Sequence, residues 1–293
     1  MIQRTVNGIL VGIAILLALW LLPGWAIFLL LAGASCVAQA EFFAIMRQGG
    51  YASCPMLAYP LGVLWLLGRF AFAVNEAPAW MGGSSWELVL LGIFLFVLLV
   101  RLLFDPKAKP VEQAAITCFS FFYVPFLLGF SLPLATFKAD RPFVFSPEGI
   151  FLVFYLILVV KMTDVGAFAI GCSCGRNKMF PRISPKKSWE GLAGGLAAAV
   201  LSSVALVALT KRFGWAAGAT LGAWSLPCAA AVGLVLGVVG VLGDLFESMF
   251  KRAVNVKDSS YVVPGMGGFL DMFDSILFAP MVLFLFLKGT GAL

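Results

Sequence analysis

The chain of 293 residues contains no histidine. That absence removes haem ligation through imidazole, Ser-His-Asp triads and any histidine phospho-relay. Charge is scarce as well: 12% of residues are Asp, Glu, Lys or Arg, against about a quarter in a soluble domain. Cysteine is present without the pattern of a metal site. Most of the six sit in apolar runs, where a free thiol behaves as a small hydrophobe, and Cys172 and Cys174 form a lone C-x-C in a basic loop. A structural zinc usually needs four Cys or His ligands, and no second pair supplies them. The short alternating segments that build a membrane β-barrel are missing too. Catalysis in such a chain is left to carboxylates, Lys, Arg, Ser and metal.

What the chain has in abundance is apolar sequence. Hydrophobic residues make up 62%, and the mean hydropathy is +1.03. Runs of roughly 20 apolar residues recur, each long enough to cross a bilayer core of about 30 Å. The reading is an all-α, polytopic integral membrane protein with about nine transmembrane helices. The spans fall near Gly8–Leu22, Trp25–Met46, Met56–Val74, Trp86–Phe104, Ala114–Phe137, Ile150–Ile170, Leu192–Thr210, Leu226–Phe250 and Phe269–Leu287. The first is not read as a cleavable signal, because a second span follows after only Pro23 and Gly24. Gly214–Trp224 reads as either a loop or an interfacial piece.

Positive charge sets the orientation. With nine spans, the clusters Arg101–Lys109, Arg176–Lys187 and Lys251–Lys257 share one side with Arg4 and Arg47. The other side holds only Arg69, Lys138, Arg141, Lys211, Arg212 and Lys288. The richer side is expected to be cytoplasmic, which places the N-terminus inside. A bacterial inner membrane is the default location, and no nucleic-acid partner is expected.

Residues 1–147 carry few ionisable groups within spans, Glu41 being the main one; they read as scaffold, with a role in lipid access. Residues 148–293 hold the rest, together with the loops 171–191 and 251–268. Ionisable groups at membrane depth are expensive, so they mark a working site. Lys161 and Asp164 are three apart and share one helix face. Asp244, Glu247 and Ser248 stand at i, i+3 and i+4, and Asp271 and Asp274 are three apart at the start of the last span. Carboxylates gathered at one depth repel. Either an oxygen-ligated Mg²⁺ or Mn²⁺ relieves them, or they pair with Lys251, Arg252 or Lys257. Lys186, Lys187, Arg252 and Lys257 flank them, as a metal-bound triphosphate requires, although a cytoplasmic loop is also basic for reasons of orientation alone. Gly265, Gly267 and Gly268 can let backbone amides approach an anion. Glu247 reads as a support for a metal site or as an ion pair with Lys251.

Four ordered blocks carry a family resemblance. S-x-F-K-R-x₄-K-D at Ser248–Asp258, followed by P-G-x-G-G-x-x-D-x-x-D at Pro264–Asp274, resembles the signature of the phosphatidate cytidylyltransferases. S-P-K-K-S-W-E-G at Ser184–Gly191, D-x-G-x₄-G from Asp164, and G-D-L-x-E-S at Gly243–Ser248 are similar to further blocks of that family. The first half resembles it only in being hydrophobic spans. The resemblance implies CTP and phosphatidate as substrates, with CDP-diacylglycerol and pyrophosphate as products. It implies Mg²⁺ on Asp244, Asp271 and Asp274, with Mn²⁺ as the alternative. Arg252 and Lys257 are then the expected catalytic cations. Ser184, Lys186, Lys187, Ser188, Glu190, Lys161, Asp164, Ser248, Lys251, Asp258, Gly267 and Gly268 are the expected substrate contacts.

Two positions depart from that pattern. Family members usually carry His where this chain has Met266, and Arg where it has Met272. Chemistry makes the first tolerable, since the nucleophile is a phosphate monoester whose second pKa is about 6, already anionic at neutral pH. Rival readings are a CDP-archaeol-type synthase, a polyprenol kinase, a CDP-alcohol phosphotransferase and a cation-coupled transporter. The phosphotransferase lacks support because this chain has D-x₂-D without an A-R element, and the transporter because no internal repeat is seen. Small-residue runs such as Gly191–Ala199 can pack helices within or between protomers, so a homodimer is one expectation.

Overall fold

The structure, a computed structural model, describes residues 18, 21–72, 85–105, 109–141, 143–256 and 268–291. Helix dominates. By length and composition, six helices are fit to cross a membrane among the described residues: Gly24–Gln48, Trp86–Leu103, Pro110–Ala135, Pro147–Cys174, Trp189–Phe213 and Leu226–Ala253. Pro55–Ala71 and Ala279–Gly289 are shorter apolar helices. Most of the expected Gly8–Leu22 span lies outside the described residues.

The chain forms two compact units. One comprises residues 1–145 with 253–272, the other 146–252 with 273–293.

In the first unit, helix α1 (Gly24–Gln48) buries Phe28, Ala32, Ser35, Gln39, Phe42 and Met46, a stripe alternating steps of four and three. It stops where Gly50 takes a φ of +80° and the Tyr51 N–H donates to the Met46 carbonyl at 3.0 Å. Helix α2 (Pro55–Ala71) begins with a proline, whose missing N–H costs nothing in a first turn. It buries Trp65, which stacks on Phe126 with centroids 5.0 Å apart and meets Phe121 edge-on at 5.7 Å. Helix α3 (Ser85–Leu103) keeps Leu88, Phe96 and Leu103 exposed, as a helix facing lipid does. Helix α4 (Pro110–Phe121) runs into a π-helical turn at Phe122–Phe126 and then the short α5 (Ser131–Ala135). Pro125 lies in that turn and cannot donate to the helical ladder, a physical reason for the wider winding.

The second unit is built on α6 (Pro147–Cys174), whose first turn is capped by the Ser146 hydroxyl accepting from the Gly149 N–H at 2.8 Å. A two-stranded antiparallel hairpin follows, β1 (Lys178–Phe180) with β2 (Ser184–Ser188). It leads into α7 (Trp189–Phe213), with Ser188 as its cap. Helices α6 and α7 cross at glycines. A Cβ placed on Gly166 would lie 2.6 Å from the Gly194 carbonyl oxygen, so backbones touch where side chains would hold them apart. The ambiguous stretch after Gly214 is a 3₁₀ turn at Ala216–Gly218 followed by a one-turn helix, α8 (Ala219–Ala223). Helix α9 (Leu226–Ala253) is joined to α6 and α7 by a hydroxyl chain: Tyr155 and Ser203 lie 2.7 Å apart, and Ser203 donates to the Ala229 carbonyl at 2.6 Å.

The last expected span needs correction. Phe269–Leu287 is not one helix but a single turn, α10 (Leu270–Phe273), then turn residues, then α11 (Ala279–Gly289). The Asp274 carboxylate accepts the N–H of Ser275, and Pro280 fits only the start of a new helix.

Candidate active site

One face of α9 presents Asp244, Glu247, Ser248 and Lys251 at helical spacing. Gly243 on the same helix lets the main chain of the 273–278 turn come in close. A Cβ there would run into the Asp274 carbonyl oxygen. Asp274 therefore stands against Asp244 and Glu247, and each of the three offers a carboxylate oxygen within 4.8 Å of the others. Glu247 and Asp274 are buried, at 2% and 6% exposure, so solvent screens their repulsion poorly.

Lysines answer these charges. Lys187, from β2, places its Nζ 2.8 Å from Asp244 Oδ2 and donates to the Val241 carbonyl at 3.3 Å. Lys251 Nζ is 2.9 Å from Glu247 Oε2. Lys161 Nζ lies 3.3 Å from Asp164 Oδ2 and donates to the Ser275 hydroxyl at 2.9 Å, which itself donates to Asp164 Oδ2 at 3.4 Å. Ser248 donates to Asp244 Oδ1 at 3.4 Å. Four carboxylates (Asp164, Asp244, Glu247, Asp274) thus share one unit with three ammonium groups (Lys161, Lys187, Lys251). This oxygen-only donor set fits a hard divalent cation.

The other expected site residues fall in several places. Ser188 spends its hydroxyl on capping, accepting the Gly191 N–H at 3.1 Å. Glu190 closes the base of the hairpin by accepting the Asn177 main-chain N–H at 3.1 Å and its side-chain amide at 2.8 Å. Lys186 is exposed on β2 beside the half-buried Ser184. Arg252 donates through Nε to the Ile183 carbonyl at 3.3 Å, fixing the hairpin tip to the end of α9. Asp271 belongs to the first unit, where Oδ2 accepts the Gly268 N–H at 2.8 Å. Lys257, Asp258 and Gly267 lie outside the described residues, as does Met266. Ser275 escaped the sequence reading, although a hydroxyl directly after a buried acid was a signal open to use.

Comparison with known proteins gives this arrangement a family. The model of the cytidylyltransferase family matches residues 2–289, and the chain belongs to that family. Over 162 residues it is 38% identical to the phosphatidate cytidylyltransferase of Brucella suis biovar 1 (strain 1330), covering 55% of this chain and 54% of that protein. The phosphatidate cytidylyltransferase of Mycobacterium bovis (strain ATCC BAA-935 / AF2122/97) is 29% identical over 282 residues, 93% of this chain and 83% of the relative. That of Staphylococcus aureus (strain COL) is 40% identical over 131 residues, 45% and 46% of the two chains. The match thus spans about half the length of the Brucella relative.

Proposed function

We propose that this protein is a CTP:phosphatidate cytidylyltransferase, joining CMP from CTP to phosphatidate and releasing pyrophosphate. The observation that carries the reading is the Asp244–Glu247–Asp274 cluster, flanked by Lys187 and Lys161, in a member of the cytidylyltransferase family. Asp244 and Asp274, with Glu247 beside them, would hold Mg²⁺ or Mn²⁺; Asp271 remains a candidate ligand by its sequence spacing alone. When bound, the metal neutralises triphosphate oxygens and stabilises the leaving pyrophosphate.

The rest falls to the chain's own groups. The phosphatidate oxygen, anionic at neutral pH, forms the new bond to the α-phosphorus as the bond to pyrophosphate breaks, so no protein nucleophile is consumed. Lys187 is half-buried on a hairpin strand and pairs with Asp244. It is the cation best placed to pass from carboxylate to phosphate. Lys161, held by Asp164 and Ser275, is set to meet the lipid phosphate and to make up for the arginine replaced by Met272. Lys186, Arg252 and Lys257 add positive charge for the triphosphate. Positioning and electrostatics supply the rate.

This reading keeps about nine spans, a cytoplasmic N-terminus and an active site facing the cytoplasm of a bacterial inner membrane. CTP is soluble and phosphatidate stays in the leaflet, so helices must part laterally to admit the lipid. A homodimer is part of the proposal. The test is pyrophosphate release by purified protein in phosphatidate-containing micelles, with Mg²⁺ or with EDTA. Release that needs CTP, phosphatidate and metal together supports the reading; release from CTP without phosphatidate, or no turnover by folded protein, overturns it.

A further inference from the structure

Glu41 is the one acid of α1, and only 5% of it is exposed. A carboxylate there is tolerable only with donors. It has them: Oε1 accepts the Phe269 N–H at 2.8 Å and Oε2 accepts the Leu270 N–H at 2.7 Å. These are donors at the start of the turn Leu270–Phe273, which a helix leaves without internal partners. The preceding N–H, of Gly268, is taken by Asp271 at 2.8 Å. Three successive amides are therefore held by two carboxylates, one of them contributed from 228 residues away in the sequence. The amides of Phe269 and Leu270 are presented to an anion, and that anion is Glu41.

We infer that Glu41 is a positioning residue for Asp271. Its two oxygens grip consecutive amides, which fixes both the place and the rotation of the turn that bears Asp271. This inference rests on the reading of the aspartates as catalytic.

The test compares Glu41→Gln with Phe42→Leu, a control at a neighbouring buried position. Gln keeps the shape but offers an NH₂ group where one amide needs an acceptor. In folded Glu41→Gln, kcat is expected to fall about tenfold or more, the loss of one charge-assisted hydrogen bond. The Mg²⁺ concentration for half-activation should rise, and amide exchange over residues 268–271 should quicken while that of α9 does not. Phe42→Leu should lower the melting temperature without these changes. Unchanged kcat and metal dependence in folded Glu41→Gln, or the same losses in Phe42→Leu, would overturn the inference. Should the Gln variant fail to fold, Glu41→Asp retains the charge and shortens the reach, and the same readouts decide. Exchange needs no turnover, so an inactive wild type would count against the reaction proposed above and leave Glu41 to be judged by exchange alone.

Discussion

The two units place their ring clusters and their glycine contacts differently. The first fills space with rings: Trp65, Phe121 and Phe126 interlock, and Phe28 stacks on Phe70 at 5.6 Å. The second removes side chains, bringing backbones together at Gly166, Gly194 and Gly243. In lipid, close van der Waals contact and polar pairing drive helix association, because water contributes no hydrophobic push between spans. Glycine contacts permit what rings forbid, the approach of carboxylates and lysines from separate elements within ion-pair distance. The charged cluster of the second unit lies beside such a contact, at Gly243.

Four substitutions test that contrast. Asp274→Asn strikes the centre of the second unit, and activity should fall at least a hundredfold, as when one charge-stabilising group leaves a site; pyrophosphate release measures it. Gly243→Ala removes no carboxylate but pushes a methyl into the Asp274 carbonyl. A misplacement of about 1 Å costs on the order of a hundredfold at worst, so a loss of tens-fold in kcat with the protein still folded is the expected result. Lys187→Met removes the cation of Asp244. A fall of about tenfold in kcat/KM for CTP, with divalent-metal affinity equal or tighter, would match its role, since a charged hydrogen bond is worth about that factor. Trp65→Ala is the counterpart in the first unit. Such a truncation costs roughly 3–5 kcal/mol in soluble cores, so the melting temperature in detergent should drop, while KM for CTP in the folded fraction stays within about twofold.

Local spacing made much of this legible. Asp244, Glu247, Ser248 and Lys251 share a face because 3.6 residues per turn demands it, and their alignment needed no tertiary information. The spans at 24–48, 86–103, 147–174, 189–213 and 226–253 were visible as apolar runs for the same reason. Pairings across the sequence were not. No periodicity links Lys187 on a hairpin strand to Asp244 on a helix, and Glu41 bonds to backbone amides, which have no residue identity to read. The break in the last span was missed because Asp274 holds the amide of its own neighbour, a local competition that hydropathy does not register. Ser188 and Glu190 sit in a family-like block, and their observed bonds are those of a helix cap and a hairpin clasp.

The most direct measurement is Mn²⁺ binding to purified protein, followed by electron paramagnetic resonance, in wild type, Asp274→Asn and Asp140→Asn, a loop acid of the first unit. The account predicts saturable binding in wild type and in Asp140→Asn, removed by EDTA and abolished or weakened at least tenfold in Asp274→Asn. Equal binding in all three proteins would contradict it, because the buried trio would then not be where the metal sits.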